Sequence, residues 1–313
     1  MKDSNTILQT LQDKKNRGYI LAASFERLGL KDRATLVREC GTYLGMVDTE
    51  EGTKIVEANF CKQRLCPSCA WRRSLKIYGA TSQILDHLDK QYGKSIKYLF
   101  LTLTIKNVRI EDLGKAIDGM SEAYHRLTNN KAWKRRVKGA MRTLEVTINH
   151  EAQTVHPHYH LILAVDRSYA TKNDDTYWTH ADWQAAWKKA ARLDYDPNVS
   201  IERVRGRESG TAEVSKYLAK DTDYLIDATE AKMGTEEAEA MTDWLVRNLM
   251  HQLHGRRLIS YTGILRDAQR ALKLADPEDG PLTDTIRGDI AQAIKRYHWS
   301  AGLGRYVPGL PTD

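Results

Sequence analysis

The sequence predicts an α+β fold. Three observations carry that reading. Tyr98–Ile105, Met141–Asn149 and the run from His158 to Val165 alternate side chains with period two, the mark of strands. Most of the remaining chain repeats apolar residues at steps of three and four, the mark of helices. Cys40, Cys61, Cys66 and Cys69 crowd into one short stretch, the mark of a small stapled segment. These divide the chain into a helical segment (1–39), a four-cysteine segment (40–75), a central domain (76–225) and a mainly helical C-terminal region (226–313).

Residues 1–39 read as amphipathic helix. Ile7, Leu8 and Leu11 form one stripe, and Leu36, Val37 and Cys40 another. The next cysteines read C-x4-C-x2-C, with Pro67 inside the last turn. A C-x2-C knuckle brings two thiolates to one ion, and Cys61 with Cys40 completes a tetrahedral four-thiolate zinc site. Residues 42–60 hold two apolar patches about a polar centre, a hairpin pattern that returns Cys40 to its partners. Four buried thiols without metal are the alternative. A closed site of this kind is structural.

Residues 70–91 (Leu75, Tyr78, Leu85, Leu88) and 111–127 (Leu113, Ile117, Met120, Tyr124, Leu127) have helical spacing, and Gly93 ends the first. Between them, Leu99, Leu101, Leu103 and Ile105 line the core face of a strand. Phe100, Thr102 and Thr104 line the other, polar enough to border a site. Lys131, Lys134, Arg135, Arg136, Lys138 and Arg142 surround Trp133. This is a composition suited to nucleic-acid backbone binding with base stacking, or simply to a solvated helix face.

In Met141–Asn149, Thr143, Glu145 and Thr147 share one face. A turn near residues 150–154 sets Glu145 opposite His158 and His160, which share a face by their spacing. Three such ligands with open positions suit magnesium or manganese, and accept zinc. Residues 180–192 read as helix, 199–204 as strand and 209–223 as helix. In that last helix Glu213 and Tyr217 lie four apart, with Lys220 three further on. A tyrosine can act as a covalent nucleophile, a lysine can stabilise its phenolate, and a glutamate can serve as base toward water. Core packing and a solvated face explain the same residues without chemistry. Residues 226–250 read as acidic helix, 251–264 as basic turn and strand, 265–298 as broken helix, and 302–313 as loose tail.

The net charge of +7 and pI near 9.1 suit a polyanionic partner. The first residues lack the apolar core of a signal peptide, and no run approaches a membrane span, so the expectation is a cytoplasmic protein without membrane contact. No phosphate-cradling glycine loop is present, which excludes ATPase chemistry in this chain.

Three motifs occur in order: Phe100-Leu101-Thr102-Leu103-Thr104, His156-Pro157-His158-Tyr159-His160, and Glu213-Val214-Ser215-Lys216-Tyr217-Leu218-Ala219-Lys220. With the cysteine stretch Arg64–Arg73, the chain resembles the rolling-circle plasmid replication initiators of bacteria, in the HUH endonuclease superfamily. The resemblance covers roughly residues 36–270. It implies a central antiparallel sheet flanked by helices, with the histidine strand in the middle. It implies nicking of one strand at a double-strand origin by Tyr217, giving a 5′-phosphotyrosine link and a 3′-OH primer. Glu145, His158 and His160 would hold Mg2+ or Mn2+, Glu213 would activate water at termination, and Lys220 would support the phosphate or phenolate. Implied partners are origin DNA, single-stranded at the nick, a host helicase and a replicative polymerase. The alternatives are a transposase or relaxase of the same superfamily, or a zinc-dependent DNA-binding regulator without catalysis.

Overall fold

The computed structural model describes residues 3–50, 52–169, 177–204, 211, 219–285 and 294–309. In chain order these form α1 (Ser4–Arg27), α2 (Lys31–Glu39), β1 (Tyr43–Thr49), β2 (Gly52–Ala58), α3 (Pro67–Tyr92), β3 (Ile96–Thr104), β4 (Val108–Arg109), α4 (Leu113–Asn129), α5 (Lys131–Arg136), β5 (Val137–Asn149), β6 (Thr154–Asp166), α6 (His180–Ala191), β7 (Val199–Arg203), α7 (Asp221–Tyr224), α8 (Ala228–Ala231), α9 (Thr235–Gln252), β8 (Ile259–Thr262), α10 (Gly263–Ala271), β9 (Lys295–Ser300) and β10 (Arg305–Pro308). The chain divides into two compact units. One comprises 1–73, 221–247 and 279–313; the other comprises 74–220 and 248–278.

The first unit holds a four-stranded antiparallel sheet of order β10-β9-β1-β2 among the described residues. Its core joins Ile7 and Leu11 of α1 to Leu44, Met46, Ile55 and Tyr306 of the sheet. The period-two pattern of β1 puts Leu44 and Met46 on the face that α1 covers, which removes their apolar surface from water. Residues 42–60 are the expected hairpin, and Thr49 pairs with Gly52 at its tip. Gly52 has φ of 106° there, a conformation that glycine adopts without a Cβ clash. The C-terminal expectation needs correcting. Helix covers 263–271, but Lys295–Ser300 and Arg305–Pro308, expected as helix and tail, are strands. Tyr297 and Trp299 alternate onto the core, so pairing with β1 and aromatic burial outweigh local helix propensity.

The second unit holds a six-stranded antiparallel sheet among the described residues. Its order is β7-β3-β6-β5-β8, with β4 also paired to β6. The histidine strand β6 is therefore central, as the resemblance implies. Both of its faces are covered: Tyr159, Leu161 and Leu163 on one side, and Ile162 and Ala164 on the other, are all buried. On the face that carries His160, Thr81 of α3 hydrogen-bonds Met141 at 3.2 Å, and Tyr98 donates to Asp89 at 2.9 Å. On the opposite face Tyr124 of α4 packs edge-on against Tyr159, and Trp187 of α6 donates to the Thr104 carbonyl. No helix among the described residues is long and apolar enough to cross a membrane.

Trp133 is 5% exposed and meets Tyr124 and Trp183 edge-on, at 6.1 and 5.8 Å between ring centroids. It is a core residue and has no face free for a base. Lys131, Lys134 and Arg135 beside it are exposed.

Candidate metal centres

The β5–β6 hairpin positions the first site. Its turn spans residues 150–153, where the Asn149 carboxamide accepts the Ala152 N–H at 2.9 Å and Gln153 takes a left-handed φ of 49°. This short connection fixes the register: Glu145 pairs with His158 and Thr143 with His160. A one-residue slip would send Glu145 to the opposite face. In the observed register Glu145, His158 and His160 converge, and their ligand atoms all lie within 4.8 Å of one another. Glu145 Oε2 lies 2.8 Å from His160 Nε2 and 3.3 Å from His158 Nε2.

Each histidine is also held from behind. His158 Nδ1 lies 3.0 Å from the His156 carbonyl, which can only accept, so Nδ1 carries the proton. A neutral His158 ring then presents a lone pair at Nε2 toward a carboxylate oxygen at 3.3 Å. Two acceptors at that distance require a positive charge between or upon them, either a proton or a metal ion. His160 Nδ1 lies 3.2 Å from Thr102 Oγ1, and the Phe100 ring stacks on its imidazole at 5.5 Å. Such outer partners set tautomer and ring orientation in metal sites. Burial pushes the Glu145 pKa up, but hydrogen bonds and charge from His158 and His160 outweigh it and hold the carboxyl well below the usual range. Three ligands, one anionic, fit a hard or borderline divalent cation.

Pro157 explains how a proline sits in a central strand. The β3 ladder ends at the Thr104–His158 pair, and the β4 ladder begins at Val108–Val155. Pro157 occupies the gap, where no donor is required on that side. The His156 ring uses the same gap to hydrogen-bond the Ile105 backbone, and burial with the nearby His158 lowers its pKa. It is not among the three convergent ligands.

The four cysteines come together in the first unit. Cys40 precedes β1, Cys61 follows β2, and Cys66 and Cys69 flank the start of α3. The hairpin base is tied by Asn59, which accepts from Tyr43 N and donates to the Glu39 carbonyl. Cys40 Sγ lies 3.5 Å from both Cys66 Sγ and Cys69 Sγ, and Cys61 Sγ lies 3.7 Å from Cys69 Sγ. These separations are too long for a disulfide. A zinc ion bonded to four sulfurs at about 2.3 Å places them roughly 3.8 Å apart, so the spacing fits. Hydrogen bonds with Cys40, Cys66 and Cys69 pull the Cys61 pKa down, while hydrogen bonds with Cys40 and Cys61, and burial, push Cys66 and Cys69 well up.

Glu213 and Tyr217 lie outside the described residues. Lys220 is described and exposed. The supports at Phe100, Thr102 and the His156 carbonyl were not assigned roles from sequence. Phe100 and Thr102 were signalled by their alternation toward the polar face and by their place in the first motif.

A family profile described as "Replication protein" matches residues 52–307. The chain is 36% identical to a "Protein rep" of Bacillus amyloliquefaciens, across 94% of this chain and 92% of the relative. It is 39% identical to a "Protein rep" of a Bacillus species, across 80% and 84%. It is 33% identical to a "Protein rep" of Streptococcus pneumoniae serotype 2, across 85% and 80%. No solved structure matches. Matched over most of its length and related at this level nearly end to end, the chain belongs to the replication protein family, among the plasmid replication initiator (Rep) proteins.

Proposed function

We propose that the protein initiates rolling-circle replication by nicking one strand of a plasmid's double-strand origin. The observation that carries this reading is the convergence of Glu145 on His160 and His158, 2.8 and 3.3 Å from Glu145 Oε2, in the middle of a buried sheet. In a replication protein, that arrangement is suited to a cation that meets a phosphate.

Glu145, His158 and His160 would hold Mg2+ or Mn2+, which when bound polarises the scissile phosphate and orients it. The Tyr217 phenol loses its proton, and its oxygen forms a bond to phosphorus. The bond from phosphorus to the 3′ oxygen breaks, and that oxygen takes up a proton. The result is a 5′-phosphotyrosine and a free 3′-OH primer. Lys220 supports the phosphate or the phenolate. At the end of the round Glu213 takes a proton from the water that releases the strand. Cys40, Cys61, Cys66 and Cys69 would hold a structural zinc ion. The site acts on single-stranded DNA at the nick, in the bacterial cytoplasm, with a host helicase and polymerase extending the primer.

The test incubates the protein with single-stranded origin DNA and Mn2+ and looks for a covalent protein–DNA adduct. Wild type is expected to form one and Tyr217→Phe to form none. An adduct that persists in Tyr217→Phe overturns the nucleophile. No adduct with any origin strand favours a non-catalytic DNA-binding regulator.

A further inference from the structure

The four-cysteine cluster has a buried cation at its side. Lys15, in the middle of α1, is 2% exposed. Its ammonium donates to the carbonyl of Cys40 at 2.8 Å and to that of Arg38. Its α1 neighbours behave differently: Lys14 pairs with Asp221 at 2.6 Å, and Arg17 with Glu230 at 2.6 Å. Among the described residues no carboxylate pairs with Lys15.

The Lys15 ammonium also lies 5.5 Å from the centre of the Tyr19 ring. A buried ammonium with only neutral partners is costly, because desolvation exceeds what they return. Beside four neutral thiols that cost stands. Four thiolates around a divalent ion carry a net double negative charge, and beside them the same ammonium is neutralised within a low-dielectric interior. The two charged groups then stabilise each other across the contact that joins α1 to the start of β1.

We propose that Lys15 is the counter-cation of a metal tetrathiolate at Cys40, Cys61, Cys66 and Cys69, so that metal occupancy seats α1. The inference rests on the reading of those cysteines as a divalent-metal site. On this account the metal organises a helix that supplies none of its ligands. Lys15 is a positioning residue that acts through charge.

The test uses the full chain, stripped of metal and titrated with Co2+, whose absorption reports tetrathiolate coordination. Absence of thiolate-to-cobalt bands in wild type overturns the metal site itself, and Lys15 falls with it before any variant is made. With the bands present, Lys15→Met is expected to bind Co2+ about 10- to 100-fold more weakly, as for other outer partners of metal ligands. Its metal-free form is expected to melt at a higher temperature than metal-free wild type, because the uncompensated buried charge is gone. Those opposite signs separate charge from packing. Equal Co2+ affinity overturns the proposal, and so does an equal loss of stability in both metal states. Hydrogen exchange of wild type serves if the variant fails to fold. Amides of α1 around Lys15 should exchange faster after metal removal, and exchange indifferent to metal overturns the coupling.

Discussion

His158 donates from Nδ1 to the carbonyl oxygen of His156, two residues earlier on the same strand, at 3.0 Å. The strand thus orients its own side chain: the backbone at one alternate position sets the proton on the ring at the next. When the ring is neutral, Nε2 is left as a lone pair directed at Glu145.

Glu145→Gln keeps the shape of that site and removes its one anionic ligand. Mn2+ affinity should fall about 10- to 100-fold or more, measured by calorimetry on the full chain. Nicking should fall with it. Affinity within twofold of wild type would exclude Glu145 as a ligand.

The same variant tests a pH dependence. Glu145 in the folded, metal-free protein titrates well below the ordinary glutamate value of about 4.3. A depressed folded pKa contributes stability that is present above that value and lost as pH falls through the folded one. Urea midpoints of metal-free wild type should therefore drop more steeply below pH 4.3 than those of Glu145→Gln. Parallel curves would show that the carboxylate gains nothing from the two histidines.

Cys66→Ser removes a buried sulfur 3.5 Å from Cys40. Metal analysis of purified protein should find about one zinc per wild-type chain and a large loss in the variant. Structural zinc sites contribute on the order of 10 kcal/mol in small peptides, so the first unit should melt earlier as well. Wild type without zinc would leave the cysteines as buried thiols.

Glu213→Ala should still form the covalent adduct but release the strand slowly. The readout is adduct lifetime in a chase with excess competitor strand. Release at the wild-type rate would remove the proposed role of Glu213 in activating water.

Trp133→Ala should destabilise the protein by about 3–5 kcal/mol, the usual cost of truncating a buried aromatic. Once that loss is allowed for, single-strand binding should keep its salt dependence. Lys134→Ala, at an exposed position, should instead flatten the salt dependence and leave the urea midpoint in place. The reverse pattern would return Trp133 to the DNA surface.

What could be read in the sequence follows distance along the chain. Glu145, His158 and His160 were legible because a short hairpin and a period of two determine who faces whom. The cysteine cluster was legible because one hairpin joins Cys40 to Cys61. β9 was not, because its partner β1 lies some 250 residues earlier, between the Tyr43 and His298 of one observed pair. Nothing local to Lys295–Ser300 names that partner. Trp133 was misread because its basic neighbours suggest a surface, while its own burial depends on α4 and α6. Lys15 gave no signal at all: a lysine in an amphipathic helix is expected in water, and only the tertiary placement of Cys40 removes it.

The sheet that closes the first unit is sewn from the two ends of the chain, and this has a cost in time. The β1–β2 hairpin is synthesised by residue 58, but β10 ends at residue 308. At roughly 5–20 residues per second, a ribosome needs about 12–50 s to cover that interval. Until β9 is made, β1 presents an unpaired edge, of the kind that invites pairing with other chains. An initiator assembled this way cannot complete its first unit until Pro308 has been made, and a chain truncated before Lys295 never completes it.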